Sequence, residues 1–353
     1  MGKHIGLSLV LIFLIFFLPW LWAQPAPAEP GEPGGTLPPP ADSLPDQEPA
    51  PEDADPPAQS LDAARSLRVK TGSTLTEMDM ETYLLGVVRA EMPASFELEA
   101  LKAQTVAART YVLHKMLGGG SANHPEADVC DDITCCQAYL SQADAAAGWG
   151  AEASAYETKI RRAVTETDGQ CILYEGAPIL AAFHSSSSGM TQDAADVWSS
   201  GVPYLKSVES PEDEATVPNY RSTAEFSAAE LKARLLEAIP DADLSGTPSN
   251  WFTNIQQQPS GTVTSLSVGG VTVSGNRLRT ILDLRSACFT VAFQEDTVAF
   301  SVTGYGHGVG MSQYGANVLA AGGMDYRDIL AWYYSDTTVD TWTDQATEGS
   351  PST

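Results

Sequence analysis

The chain has 353 residues, 43% of them hydrophobic, and a formal net charge of −26. That charge excludes nucleic acid as a partner, because phosphate would repel it, and it gives no attraction to anionic lipid heads. It suits a neutral substrate such as a sugar polymer, and equally a surface that is simply soluble. After Lys3, an apolar run spans Ile5 to Ala23. As a helix, its 19 residues reach roughly 28 Å, one hydrocarbon core. Trp20 and Trp22 lie at its far end, where an interfacial girdle sits. Leu21-Trp22-Ala23 is a poor cleavage site, so residues 1–23 read as a single-pass anchor in the cell membrane, with a cleaved signal peptide as the alternative. Either way the remainder is extracytoplasmic. Twelve of the 23 prolines fall between Gln24 and Ser60 among acidic and small residues. Such a stretch cannot offset its ordering entropy, which predicts a disordered linker over 24–65. Residues 66–340 are long enough for one large core, and 341–353 form a polar tail.

Asp79 to Met92 has helical spacing. Asp79 is a good N-cap with Glu81 in the first turn, and Tyr83, Leu84, Val87 and Val88 share a face. Pro93 biases Met92 out of the α region and stops the helix. Glu91 therefore lies in the last turn, where the negative end of the dipole disfavours its ionised form. Burial would push the same way. A glutamate kept protonated near neutral pH is what a general acid needs; position alone equally allows an exposed surface glutamate. A second helix is expected after Ser95 as N-cap, running to Leu113. Leu98, Leu101, Thr105, Ala108 and Val112 form a narrow stripe, with Lys102 and Arg109 on another face. Arg109 could orient a carboxylate or a sugar lactyl group, or be a surface arginine.

His124, Cys130, Cys135 and Cys136 follow the spacing His-x5-Cys-x4-Cys-Cys. Four such ligands can close a tetrahedron around Zn²⁺, and a loop gains folding free energy from it. With no open position such a zinc is structural. The alternative is disulfides, with Cys171 and Cys288 as available partners, since adjacent cysteines pair with strain.

Further along, Cys171 to Ala182 reads as a hairpin turning at Glu175-Gly176. It leads into Phe183-His184-Ser185-Ser186-Ser187-Ser188-Gly189-Met190-Thr191, a loop whose hydroxyls suit sugar hydroxyls or mere flexibility. Asp193, Asp196 and Trp198 follow. From about 211 to 300 an inserted α/β lobe is expected, with a capping box at Ser227 and a hairpin about Gly269-Gly270. No catalytic constellation lies there. The block from Gly304 to Ala316 alternates glycines, allowing close backbone approach. The dinucleotide fingerprint fails in it, because Val309 stands where that motif needs glycine. The fold class is α+β: mixed helices and antiparallel sheet with the inserted lobe.

Together these strings resemble stage II sporulation protein D: Tyr83 to Val88 leading into Glu91-Met92-Pro93, Glu99 to Gln104, Ala107 to Tyr111, Phe183-His184-Ser185, Pro203-Tyr204-Leu205, Gly304 to Ala316, and Tyr333-Tyr334. The resemblance implies a lytic transglycosylase acting on peptidoglycan glycan strands stripped of stem peptides. Its Glu-Met-Pro glutamate is the catalytic residue, which carries onto Glu91. A single carboxyl serves that reaction because the nucleophile is the sugar's own C6 hydroxyl. Some members bind zinc through a histidine and cysteine loop, which carries onto His124, Cys130, Cys135 and Cys136. The implied partner is a peptidoglycan amidase acting during engulfment of a forespore.

The candidate glycan contacts are Lys102, Gln104 and Arg109 on the second helix, then His184, Ser185, Ser187 and Thr191 in the serine loop. His307, Ser312, Gln313 and Tyr314 in the glycine block complete them. Three rivals stand beside this reading. A hydrolytic muramidase would need Asp193 or Asp196 as second carboxyl. A glycan-binding activator of a wall amidase would be non-catalytic. A zinc hydrolase would need an open coordination position.

Overall fold

The computed structural model describes residues 60–132, 134–198 and 201–343. The expected anchor, nearly all of the linker and most of the tail lie outside them. No helix among the described residues is long and apolar enough to cross a membrane.

Strands β1 (Ser66–Thr71) and β2 (Thr74–Asp79) form a hairpin that delivers the chain to helix α1 (Met80–Glu91). Asp79 caps α1, its side chain accepting from the Thr82 N–H, as its position predicts. Helix α2 (Leu98–Leu117) follows. It starts later than expected: Ser95 sits in a turn closed by Phe96 N–H onto Pro93 O, and Glu97 becomes the N-cap without a side-chain hydrogen bond. Nor is α2 half-buried on one stripe. Nearly every residue from Ala100 to Thr110 is buried, because α1, α4 (Ala153–Thr165), strand β4 (Gln170–Tyr174), α8 (Gln313–Ala321) and α9 (Tyr326–Tyr333) all pack against it. Its small residues let those neighbours close in, and its polar ones find internal partners. Thr110 Oγ1, for instance, donates to Val106 O at 2.6 Å and accepts from Ile172 N at 2.9 Å.

The packed body includes residues ahead of Ser66. Asp62 is 3% exposed and pairs with Arg109, so residues 60–65 belong to the packed body rather than to the linker.

The other elements around this core are β3 (Val129–Cys130), α3 (Gln142–Trp149), β5 (Ala177–Pro178), β6 (Phe183–His184) and α5 (Ala194–Val197). The β4–β5 hairpin turns on Glu175 and Gly176, both at positive φ (51° and 80°), the geometry of a type I′ turn. The lobe has its own apolar core, built on Leu231, Leu235, Val268, Leu278 and Phe300. It contains β7 (Arg221–Ser227), α6 (Ala228–Ala238), β8 (Phe252–Gln257), β9 (Val263–Val268), β10 (Val271–Ser274), α7 (Gly275–Leu282), β11 (Phe289–Gln294) and β12 (Thr297–Thr303). These strands make two antiparallel sheets, ordered β10-β9-β8 and β11-β12-β7. The chain then returns through the glycine block to β13 (Met311–Ser312), which pairs in parallel with β6. Strand β14 (Thr338–Thr341) closes on β4.

The alternating glycines have a steric reason. Gly306 and Gly310 both have positive φ; a Cβ would stand 2.7 Å from His184 Cβ at the first and 2.0 Å from Ala182 O at the second. The block can therefore lie directly on the serine loop.

Candidate active site

Helix α1 ends where Met92 turns extended (φ −121°, ψ 141°) ahead of Pro93. This leaves Glu91 half-buried at the helix terminus. Two groups from distant segments hold its carboxyl. Oε1 accepts from the Ala138 N–H at 2.8 Å, and Oε2 accepts from Gln313 Nε2 at 3.3 Å. Gln313 Nε2 also donates to Gln104 Oε1 at 3.4 Å, while Gln104 Nε2 is buried without a partner among the described residues. Burial raises the Glu91 pKa above the ordinary carboxylate range, and the hydrogen bonds from Ala138 and Gln313 oppose that rise without cancelling it.

Both partners are positioned firmly. Gln313 is the first residue of α8, whose N-cap Ser312 accepts from Gly315 N at 3.2 Å. Ala138 lies in the loop after the cysteines. That loop is laid on α1 by Leu140 N–H donating to Gly86 O at 3.0 Å and by the Tyr139 ring stacking with Tyr83 at 5.9 Å. Gly86 makes room for it, since a Cβ there would stand 2.1 Å from the Tyr139 ring.

Beside Gln313, the β6–β13 pairing brings the two later motifs together. Tyr314 N–H donates to Ser185 O at 3.0 Å, and the Tyr314 ring packs edge-on to Phe96 at 4.9 Å. His184 is buried, with Nε2 2.8 Å from Ser187 Oγ and Nδ1 3.2 Å from Val309 O. His307 lies against both His184 (5.6 Å between ring centres) and Trp198 (5.5 Å). Burial pushes both imidazoles down, His184 to about 3 and His307 to about 4, so both are neutral near pH 7. His307 and Trp198 keep partial solvent exposure.

Several expected glycan contacts are instead committed within the protein. Arg109 is 1% exposed; its Nε and Nη2 grip Asp62 and its Nη1 donates to Gln170 O. It has no reach to a ligand. Lys102 pairs with Glu99 and Glu166 at 2.8 and 2.7 Å. Thr191 is fully buried and accepts from Val208 N at 2.9 Å. Ser187 and Ser312 are buried too, and both bond to Glu212, which has 2% exposure. Glu212 has no motif around it and lies where only lobe was expected. Asp62 was hidden in the apparent linker, and Ala138 acts through its backbone, so neither carries a sequence signal. The two carboxyls considered as a second acid are engaged elsewhere. Asp193 caps α5 and pairs with Lys206 at 3.3 Å, and Asp196 accepts from Gln258 Nε2 at 2.9 Å.

The thiols of Cys130, Cys135 and Cys136 gather within 4.8 Å of one another. The Cys135–Cys136 sulfur separation is 3.7 Å. Two sulfurs bound to one tetrahedral zinc stand roughly 3.8 Å apart, so the donor set and its spacing fit that ion. Burial opposes ionisation of Cys135, but hydrogen bonds from Ser121, the Asn123 backbone and Cys136 outweigh it and hold the thiol at about 6. Burial and neighbouring Cys130 push Cys136 up to about 12. His124 is not gathered with the sulfurs; it is one-third exposed, with Nδ1 3.9 Å from Glu126 Oε1. All five cysteines are free. Cys171 is buried in the main core and Cys288 packs by Ser260 O in the lobe, so neither joins the cluster.

A family model described as Stage II sporulation protein matches residues 69–174. The chain is 38% identical over 269 residues to stage II sporulation protein D of Bacillus subtilis, covering 75% of this chain and 76% of that protein. It is 36% identical over 261 residues to stage II sporulation protein D of Bacillus amyloliquefaciens, with 74% of each covered. To a Bacillus subtilis protein named amidase enhancer it is 30% identical over 308 residues, covering 72% of this chain and 40% of that protein. A match of that identity over three quarters of both chains means that this chain belongs to the stage II sporulation protein D family.

Proposed function

We propose that this chain remodels the cell wall during sporulation as a lytic transglycosylase. It cleaves peptide-free glycan strands between N-acetylmuramic acid and N-acetylglucosamine, leaving 1,6-anhydro-muramyl ends. The observation that carries this reading is the environment of Glu91. Burial favours its acid form, while the Ala138 and Gln313 donors favour its carboxylate, so both states of one group are within reach. The protonated carboxyl donates to the glycosidic oxygen as the bond from C1 breaks. Charge develops at C1, and the departing N-acetylglucosamine carries the proton away. The Glu91 carboxylate, steadied by its two donors, then takes the proton of the muramyl C6 hydroxyl. The C6 oxygen closes on C1 and the acid is restored. Hydrolysis by the usual route needs a second carboxyl, and Asp193 and Asp196 are tied up as a cap and a lobe contact. The partly exposed rings of Trp198 and His307 offer a sugar ring a stacking surface.

The sulfurs of Cys130, Cys135 and Cys136 would hold zinc, with His124 as the candidate fourth ligand. Filled so, the ion would have no open position and would supply only folding free energy to the loop carrying Ala138. The apolar run at 5–23 tethers the domain to the cell membrane on its wall side.

The test is mass analysis of products from peptide-free glycan strands with wild type and with Glu91→Gln. Anhydro-muramyl ends from the first and none from the second are expected. Products heavier by one water would make the chain a hydrolase. A second reading has its own support in the relative named amidase enhancer: a glycan-binding activator of a wall amidase. Tight glycan binding, no product, and faster turnover of an added amidase would establish that instead.

A further inference from the structure

Glu212 has no part in the chemistry above, yet it joins the segments that do. It lies in the loop leading to the lobe, 2% exposed, and its partners are neutral. Oε1 accepts from Ser187 N at 2.6 Å and from Ser312 Oγ at 2.5 Å; Oε2 accepts from Ser210 Oγ at 2.5 Å. Ser210 Oγ in turn lies 2.8 Å from the Tyr333 hydroxyl. Three short donors on one carboxyl are the strong end of the hydrogen-bond range. The group also faces the first turn of α8. Gly315 in that turn permits the approach, since a Cβ there would stand 2.6 Å from Glu212 Oε2.

Each arm leads to a residue already placed in the site. Ser312 caps α8, and the next residue, Gln313, donates to Glu91. Ser187 Oγ bonds His184 Nε2, whose ring packs on His307. One carboxyl thus sets the start of α8 and the serine loop against each other.

We propose that Glu212 is a positioning residue: through Ser312 it locks the Gln313 amide onto Glu91, and through Ser187 it locks His184. Its catalytic consequence rests on the transglycosylase reading, whereas its geometric consequence does not.

The test uses the full chain as wild type, Glu212→Gln, Glu212→Asp and Ser312→Ala. Glu212→Gln keeps the shape but removes one acceptor. The readout independent of turnover is nuclear magnetic resonance of the Gln313 side-chain amide, assigned by its loss in Gln313→Glu. In Glu212→Gln those signals are expected to move toward those of a free glutamine and exchange faster, with Glu212→Asp in between. On glycan, kcat should fall about 10²-fold, the effect of a small misplacement at a reacting group, with KM changed less than about twofold. If Glu212→Gln does not fold, Ser312→Ala reports the same arm. An unmoved Gln313 amide in a folded variant would overturn the proposal. Wild type without anhydro product would defeat the transglycosylase reading alone, because the amide signal would still decide this one.

Discussion

Gln313 Nε2 stands 3.3 Å from Glu91 Oε2, joining residues 222 positions apart. One is the last residue of α1 and the other the first of α8, so the candidate acid is held where two helix ends meet. Its protonation depends on both.

Replacing Glu91 by Gln is expected to lower the rate on peptide-free glycan by about 10²- to 10⁴-fold, the range for a lost general acid. In wild type, activity should fall on the alkaline side as the raised pKa is passed, because the acid form starts the reaction. Stability follows the same sign. A carboxyl whose folded pKa is raised binds its proton more tightly in the native state, so stability declines as pH climbs through that window. Glu91→Gln should therefore be at least as stable as wild type near pH 7, and lose that advantage in acid. Melting temperatures across pH check it, and a marked loss at pH 7 would contradict the burial argument.

Acid should weaken the protein for a separate reason. His184 and His307 are depressed from 6.5 to about 3 and about 4. Between pH 6.5 and those values the unfolded chain takes protons that the native state refuses. Stability then falls by up to about 1.4 kcal/mol per pH unit for each group. His184→Asn should flatten the slope in denaturant titrations at pH 4 to 7, whatever it does to stability at pH 7.

Arg109 should matter for stability and not for glycan affinity. Its pair with Asp62 is buried on both sides, with 1% and 4% side-chain exposure. Arg109→Met strands a buried carboxylate and should cost about 3–5 kcal/mol; adding Asp62→Leu should recover most of it. KM for glycan, measured well below the melting temperature, should stay within about twofold of wild type.

Gly86→Ala tests the loop that carries Ala138. The new Cβ would meet the Tyr139 ring at 2.1 Å, so ring and loop must shift, at about 1–3 kcal/mol. The rate should fall as well, because the Ala138 donor moves from Glu91. A melting loss with unchanged kcat would mean that this donor is dispensable.

Metal content checks the thiol cluster. Purified protein should hold about one zinc per chain, lost in Cys130→Ser or Cys136→Ser with a lower melting temperature. His124→Ala should weaken retention if that side chain completes the site. Protein free of metal and unaffected by chelator would leave the sulfurs as packing.

Much of the local structure follows from short-range chemistry and is legible in the chain itself. Asp79 caps its helix, Pro93 ends it at Glu91, and the Glu175-Gly176 and Gly269-Gly270 turns have the positive φ that their residues tolerate. The Glu-Met-Pro string and the glycine block are legible as strings, although the glycines answer to a distant segment, His184 and Ala182. Only the tertiary structure decided what the polar side chains do. Arg109 and Lys102 are charged residues on a helix, and whether such a group meets solvent, ligand or an internal acid depends on what packs over it. Here that is Asp62 and Glu166 from distant segments. Glu212, Ala138 and Gln313 act through contacts across long stretches of chain. No spacing rule encodes those contacts, because they exist only once the main core has formed and brought the segments together.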